Sequence, residues 1–139
     1  MPQTITRGIK VLLAEANARV SAVTPLEAAE RMAAGDTVLV DLRDPRELER
    51  EGRIPGAFHC PRGMLEFWID PESPYFKPVF GEDKTFIFLC AGGWRSALSA
   101  ATAQDMGLRP VAHVAGGFKA WKEVGAPFAA AAGPAHTTP

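Results

Sequence analysis

Thr85-Phe86-Ile87-Phe88-Leu89 runs without a break into Cys90-Ala91-Gly92-Gly93-Trp94-Arg95-Ser96, and the fold turns on this stretch. A continuous run of apolar and β-branched residues describes a strand covered on both faces. The glycine-rich turn that follows opens a helix from about Arg95 to Met106, which Gly107 ends. Strand, tight turn and helix in succession form the unit of an open α/β sheet, and such sheets place their sites at the carboxyl ends of strands.

The flanking sequence repeats this logic. Thr37-Val38-Leu39-Val40 is a second buried strand, delivering Asp41 and Arg43 at its carboxyl end. Thr24-Pro25-Leu26-Glu27 supplies an N-cap, a proline at the first helical position and a capping-box glutamate, for a helix running to about Ala34 and stopped by Gly35. Asp44-Pro45-Arg46-Glu47 does the same for a short charged helix ending near Gly52, and its charges from Arg46 to Arg53 read as a solvated face. An extended piece at Val20–Val23, a short strand through Phe58 and Cys60 after the turn Ile54-Pro55-Gly56-Ala57, and Val111–Val114 complete the strands. Residues 63–69 form a helix. Pro71, Pro74, Pro78 and Gly81 make 70–84 a long loop, and Gly116-Gly117 leads into a short helix containing Trp121. Near the N-terminus, Ile5, Ile9, Leu12, Leu13 and Ala16 fall at helical spacing, the mark of an amphipathic helix laid on the domain. Alternating strands and helices predict an α/β fold around a mostly parallel sheet. The expected boundaries are a helical extension at 1–19, one domain at 20–128 and a flexible tail at 129–139.

Composition agrees and excludes much else. The chain has 139 residues, 47% hydrophobic and 22% charged, which suits one globular domain with about two-thirds of its surface buried. Fifteen basic residues against sixteen acidic ones lack the excess that binding a phosphate backbone demands, so no nucleic-acid partner is expected. No apolar run nears the roughly 20 residues that span a bilayer, so no membrane association is expected either. The short apolar stretch Val11 to Ala14 is broken by Glu15, which argues against a signal peptide and for a cytoplasmic location. Cys60 and Cys90 then read as free thiols rather than a disulfide. His59, His113 and His136 are too scattered to hold a metal, and no cofactor is implied.

The loop after Cys90 carries the chemistry. Successive backbone N–H groups ending at a helix N-terminus form a concave nest of partial positive charge. Gly92 and Gly93 permit backbone conformations closed to other residues and keep its rim low. A cysteine at the floor of such a nest is favoured as the thiolate, hence as a nucleophile at neutral pH. The nest would also hold an anion or the outer sulfur of a persulfide without a metal. Arg95 either adds a full positive charge to the loop or braces it.

This loop resembles the active-site loop of the rhodanese-like sulfurtransferases: Cys, two residues, Gly, one residue, Arg, then Ser or Ala. Three further stretches are similar to the family's signatures. They are Val40-Asp41-Leu42-Arg43-Asp44-Pro45 with Glu47, Gly52-Arg53-Ile54-Pro55-Gly56-Ala57 with Arg53 where the family usually has histidine, and Gly116-Gly117-Phe118-Lys119-Ala120-Trp121 with Gly125 and Pro127. The resemblance implies a single rhodanese-like domain with a five-stranded, mostly parallel sheet between helices. It also implies a sulfurtransferase that moves a sulfane sulfur from a donor such as thiosulfate to cyanide or a thiol through a persulfide. On that mapping Cys90 is the nucleophile, and the backbone of Ala91, Gly92, Gly93, Trp94, Arg95 and Ser96 cradles the transferred sulfur. Asp41 and Arg43 are structural support, through buried ion pairs and loop bracing, and Arg62 joins Trp94 as a rim residue for an anionic substrate or a protein thiol partner. Related phosphatases and arsenate reductases on this fold place five residues between cysteine and arginine, whereas four lie between Cys90 and Arg95, a nest that suits one sulfur atom better than a tetrahedral oxyanion.

Cys60 reads as packing, and His59 and His113 as structural histidines. A monomer or homodimer is expected. The alternative from another class is a non-catalytic interaction or sulfur-carrier module that uses the exposed loop to dock a partner.

Overall fold

The computed structural model describes residues 2–131. Its elements run α1 (Ile9–Arg19), β1 (Ser21–Val23), α2 (Pro25–Ala34), β2 (Thr37–Asp41), α3 (Pro45–Glu51), β3 (Phe58–His59), α4 (Leu65–Ile69), β4 (Thr85–Leu89), α5 (Trp94–Met106), β5 (Val111–Val114) and α6 (Gly117–Glu123). Single 3₁₀ turns at Arg62–Met64 and Pro78–Gly81 precede α4 and β4. The five strands form one sheet in the order β1-β5-β4-β2-β3, each neighbouring pair parallel. β4 is therefore the central strand, and Cys90 leaves its carboxyl end between the ends of β2 and β5.

Alternation along the strands divides the core in two. Val40, Phe86 and Phe88 meet Leu65 and Ile69 of α4 and Ala97 and Ala100 of α5 on one face. Leu39, Ile87, Leu89, Ala112 and Val114 meet Ala28 of α2 and Phe118 and Trp121 of α6 on the other. Helices on both faces explain why β2 and β4 read as continuous apolar runs rather than alternating ones.

The capping boxes of α2 and α3 form as their sequences require. The Thr24 hydroxyl accepts from the Glu27 backbone, and the Asp44 carboxylate accepts from the Arg46 and Glu47 backbones. Helix α1 is shorter than its apolar spacing suggests. Ile5 precedes it, Ile9 and Leu12 are exposed, and only Leu13 and Ala16 join the core. The reason lies opposite: α1 rests on α5, whose buried face is built of Ala and Ser and accepts one narrow ridge of side chains. The 70–84 segment is loop-like as expected, although its 3₁₀ turn buries Phe80 against Phe58 and Phe86. Of the tail, Ala129 pairs in antiparallel fashion with Arg53, and residues 132–139 lie outside the described residues. Among the described residues no helix is long and apolar enough to cross a membrane.

Candidate active site

Cys90 is 1% exposed, and its sulfur sits at the head of α5. Sγ accepts from the Gly93 N–H at 3.1 Å and from the Ser96 N–H at 3.3 Å. Gly93, the N-cap of α5, supplies no side chain to that helix and adopts φ +107°, a left-handed conformation that swings its own N–H inward. The sulfur thus serves α5 as the Thr24 hydroxyl serves α2, as acceptor for an otherwise orphaned first-turn amide. An acceptor in that place faces the positive end of the helix dipole.

Two elements hold the loop from outside. The N-terminus of α6 grips it from one side, with the Phe118 N–H donating to Cys90 O at 2.8 Å and the Lys119 N–H to Ala91 O at 3.1 Å. This approach requires Gly117, whose φ is +63° and where a Cβ would stand 2.5 Å from Cys90 O. Helix α3 grips it from the other. Arg95 donates from both terminal nitrogens to the two Glu47 oxygens, each at 2.8 Å. The Arg95 guanidinium, joined by the Asp44 backbone N–H, holds the Glu47 carboxyl at about 2, well below the usual carboxylate range. Of the two roles open to Arg95, the geometry shows a brace.

Asp41 and Arg43 form a buried pair: Nε to Oδ1 at 2.9 Å and Nη2 to Oδ2 at 2.7 Å. Arg43 also donates to Gly52 O and lies over the Phe118 ring at 4.0 Å. It ties the end of β2 to the Gly52 turn and to α6, the helix that grips the Cys90 carbonyl. Arg62 donates to Glu66 at 2.9 Å, and among the described residues its side chain makes no hydrogen bond to the 90–96 loop. Trp94 is 63% exposed on the rim. Cys60 is buried among apolar side chains, and that burial pushes its thiol up to about 12, which keeps it protonated and unreactive.

Three features escaped the sequence reading. Glu47 was visible as a capping residue, but its second partner, Arg95, is 48 positions away. Lys119 and Lys122 of α6 wall a cavity of about 290 Å³ that borders the loop at Ala91 and is also lined by Arg43, Glu47 and Arg50; the loop spacing gives no sign of them. Finally, Ser96 Oγ lies 3.0 Å from Nδ1 of His113 on β5 and 3.6 Å from Cys90 Sγ. Its signal was faint: one polar residue in the otherwise apolar Val111–Val114 run.

Residues 24–124 match the profile of the Rhodanese-like domain. The chain belongs to the rhodanese-like domain family. The human thiosulfate:glutathione sulfurtransferase is 30% identical over 98 residues, 66% of this chain and 84% of that protein. The mouse thiosulfate sulfurtransferase/rhodanese-like domain-containing protein 3 is 30% identical over 91 residues, 62% of this chain, and the match spans only 58% of the mouse protein's length. Among solved structures, a Rhodopseudomonas palustris protein of unknown function, described as a possible tyrosine phosphatase, is 63% identical with a TM-score of 0.88, covering 92% of this chain and 98% of that one. Fold and family are thus shared with sulfurtransferases, and this rhodanese-like domain carries its cysteine where the fold concentrates its dipoles.

Proposed function

We propose that this domain transfers a sulfane sulfur through Cys90. The observation that carries the reading is the paired donation of the Gly93 and Ser96 amides to a cysteine sulfur at a helix N-terminus. Cys90 reacts as the thiolate, with the two amides and the positive end of α5 facing its sulfur. The thiolate attacks the sulfane sulfur of the donor. An Sγ–S bond forms, the donor's S–S bond breaks, and the donor leaves with the electron pair, as sulfite when the donor is thiosulfate. The negative charge now rests on the outer sulfur of the Cys90 persulfide. Cyanide or a thiolate then attacks that outer sulfur, leaves as thiocyanate or a new persulfide, and returns Cys90 as the thiolate. No net oxidant or reductant is consumed.

Glu47 and Glu51 line the neighbouring cavity beside Arg43, Arg50, Lys119 and Lys122. Arg43 pairs with Asp41, and Arg50 and Lys122 pair with Glu51, which leaves Lys119, among the described residues, to attract a small anionic donor. A non-catalytic docking or sulfur-carrier role is the second reading, favoured by the exposure of Trp94 on the loop. Incubation with thiosulfate and cyanide separates the two readings: the native chain releases thiocyanate, and Cys90→Ser releases none. A serine variant that keeps the activity would overturn the assignment of the nucleophile. A native chain that gains the persulfide yet passes its sulfur to neither cyanide nor thiols would favour the carrier role. Because the similar R. palustris protein is a possible tyrosine phosphatase, an aryl phosphate is the natural counter-substrate, and with only four residues between Cys90 and Arg95 we expect no turnover of it.

A further inference from the structure

His113 sits on β5 in register with Phe88 of β4, two residues before Cys90. It is 5% exposed, and Ser96, with which it pairs, is fully buried. Ser96 Oγ stands at the centre of a small polar cluster within an apolar layer: 3.0 Å from His113 Nδ1, 3.2 Å from Gly93 O and 3.6 Å from Cys90 Sγ. We propose that His113 is a positioning residue for Cys90, acting through the Ser96 hydroxyl to aim a third hydrogen bond at the sulfur. The inference rests on Cys90 being the reactive sulfur.

The argument is one of hydrogen accounting. Burial pushes the His113 imidazole below its ordinary range, so the ring is neutral and carries one N–H. Its Nε2 is buried and has no hydrogen-bond partner among the described residues. Orphaned buried N–H groups are rarer than orphaned acceptors, which places the hydrogen on Nδ1, donating to Ser96 Oγ. The hydroxyl is then left with its own hydrogen to give, and its remaining neighbours are Gly93 O and Cys90 Sγ. A thiolate draws that hydrogen by its charge, adding a third donor to the Gly93 and Ser96 amides. When the charge moves to the outer sulfur of a persulfide, the hydroxyl turns back to Gly93 O and stays satisfied. No proton leaves the cluster at either stage.

The test is the rate at which iodoacetamide alkylates Cys90 at neutral pH, mapped to the Cys90 peptide. This readout needs no sulfur donor and so stands apart from transferase activity. If the native chain released no thiocyanate, the proposed function would fail while the order of alkylation rates still judged this inference. Ser96→Ala is expected to slow alkylation about tenfold and His113→Leu about fivefold, with the double variant no slower than Ser96→Ala. His113→Asn keeps a polar atom at the Nδ1 position and should restore most of the native rate, whereas His113→Gln, which places its polar atoms near Nε2, should not. If His113→Leu does not fold, the contrast between the Asn and Gln variants decides the matter. Native-like alkylation in His113→Leu, additive losses in the double variant, or equal rates for Asn and Gln would each overturn the proposal.

Discussion

Gly117→Ala is the change that most sharply tests how the loop is held. An alanine Cβ at this position would lie 2.5 Å from Cys90 O and 2.6 Å from the carbonyl carbon and oxygen of Ala91, so about 0.9 Å must open before ordinary contact is reached. The obstructing atoms are backbone, fixed to the end of the central strand, and cannot swing aside as a side chain would. The first turn of α6 has to lift, which loses the bonds from Phe118 N–H to Cys90 O and from Lys119 N–H to Ala91 O, each worth about 1 kcal/mol. The left-handed φ of +63° adds roughly 1–2 kcal/mol of strain for any residue with a Cβ. The expected loss is therefore about 3–4 kcal/mol. Gly125→Ala isolates the strain: φ there is +76° and nothing lies within 4 Å of the added carbon, so the loss is about 1–2 kcal/mol. Urea unfolding of both variants measures the difference, and sulfur loading from thiosulfate is followed in the folded baseline. We expect Gly117→Ala to be the less stable by about 2 kcal/mol and to load poorly. Equal stabilities, or normal loading in Gly117→Ala, would refute the view that α6 holds the Cys90 carbonyl in place.

Two further substitutions test the flanking braces. Glu47→Gln removes the charge from the pair with Arg95 and should lower stability at pH 7 by about 1–2 kcal/mol. Because the Glu47 carboxyl is held at about 2 against an ordinary value of 4.5, its contribution is complete above the ordinary value and disappears as pH falls toward the lower one. The gap between native and variant stability should thus close between these pH values, and a gap constant from neutral pH to pH 3, measured by urea unfolding, would contradict the pairing. Arg43→Met strands the Asp41 carboxylate, which is 2% exposed, and should cost about 3–5 kcal/mol. Adding Asp41→Asn should recover part of it, and a thermal scan showing little loss in the single variant would remove Arg43 from the frame of the site.

The fold was legible because strand composition, caps and glycines agreed with one another. Val38–Val40 and Phe86–Leu89 are apolar on both faces, and both faces of the sheet are covered. Thr24 and Asp44 announced helices that begin where they should. α1 was harder: spacing identified a stripe, but how much of it finds a partner depends on the small side chains of α5, more than 70 positions away. The same limit applied at the site. The loop from Cys90 to Ser96 is local, so its direction and glycine turn could be read from the residues themselves. Glu47 with Arg95 and Ser96 with His113 are partnerships across the sheet, set by parallel register and invisible to spacing along the chain. Arg62 shows the converse, since a cation read as a rim residue of the site pairs with Glu66, four positions along its own segment, instead.

Intact-mass analysis after exposure to thiosulfate tests the central claim most directly. The account predicts the mass of one added sulfur atom, located on the Cys90 peptide, removed by cyanide and missing from Cys90→Ser. No added mass with either thiosulfate or a small-molecule persulfide, or a sulfur found on Cys60 instead, would contradict it.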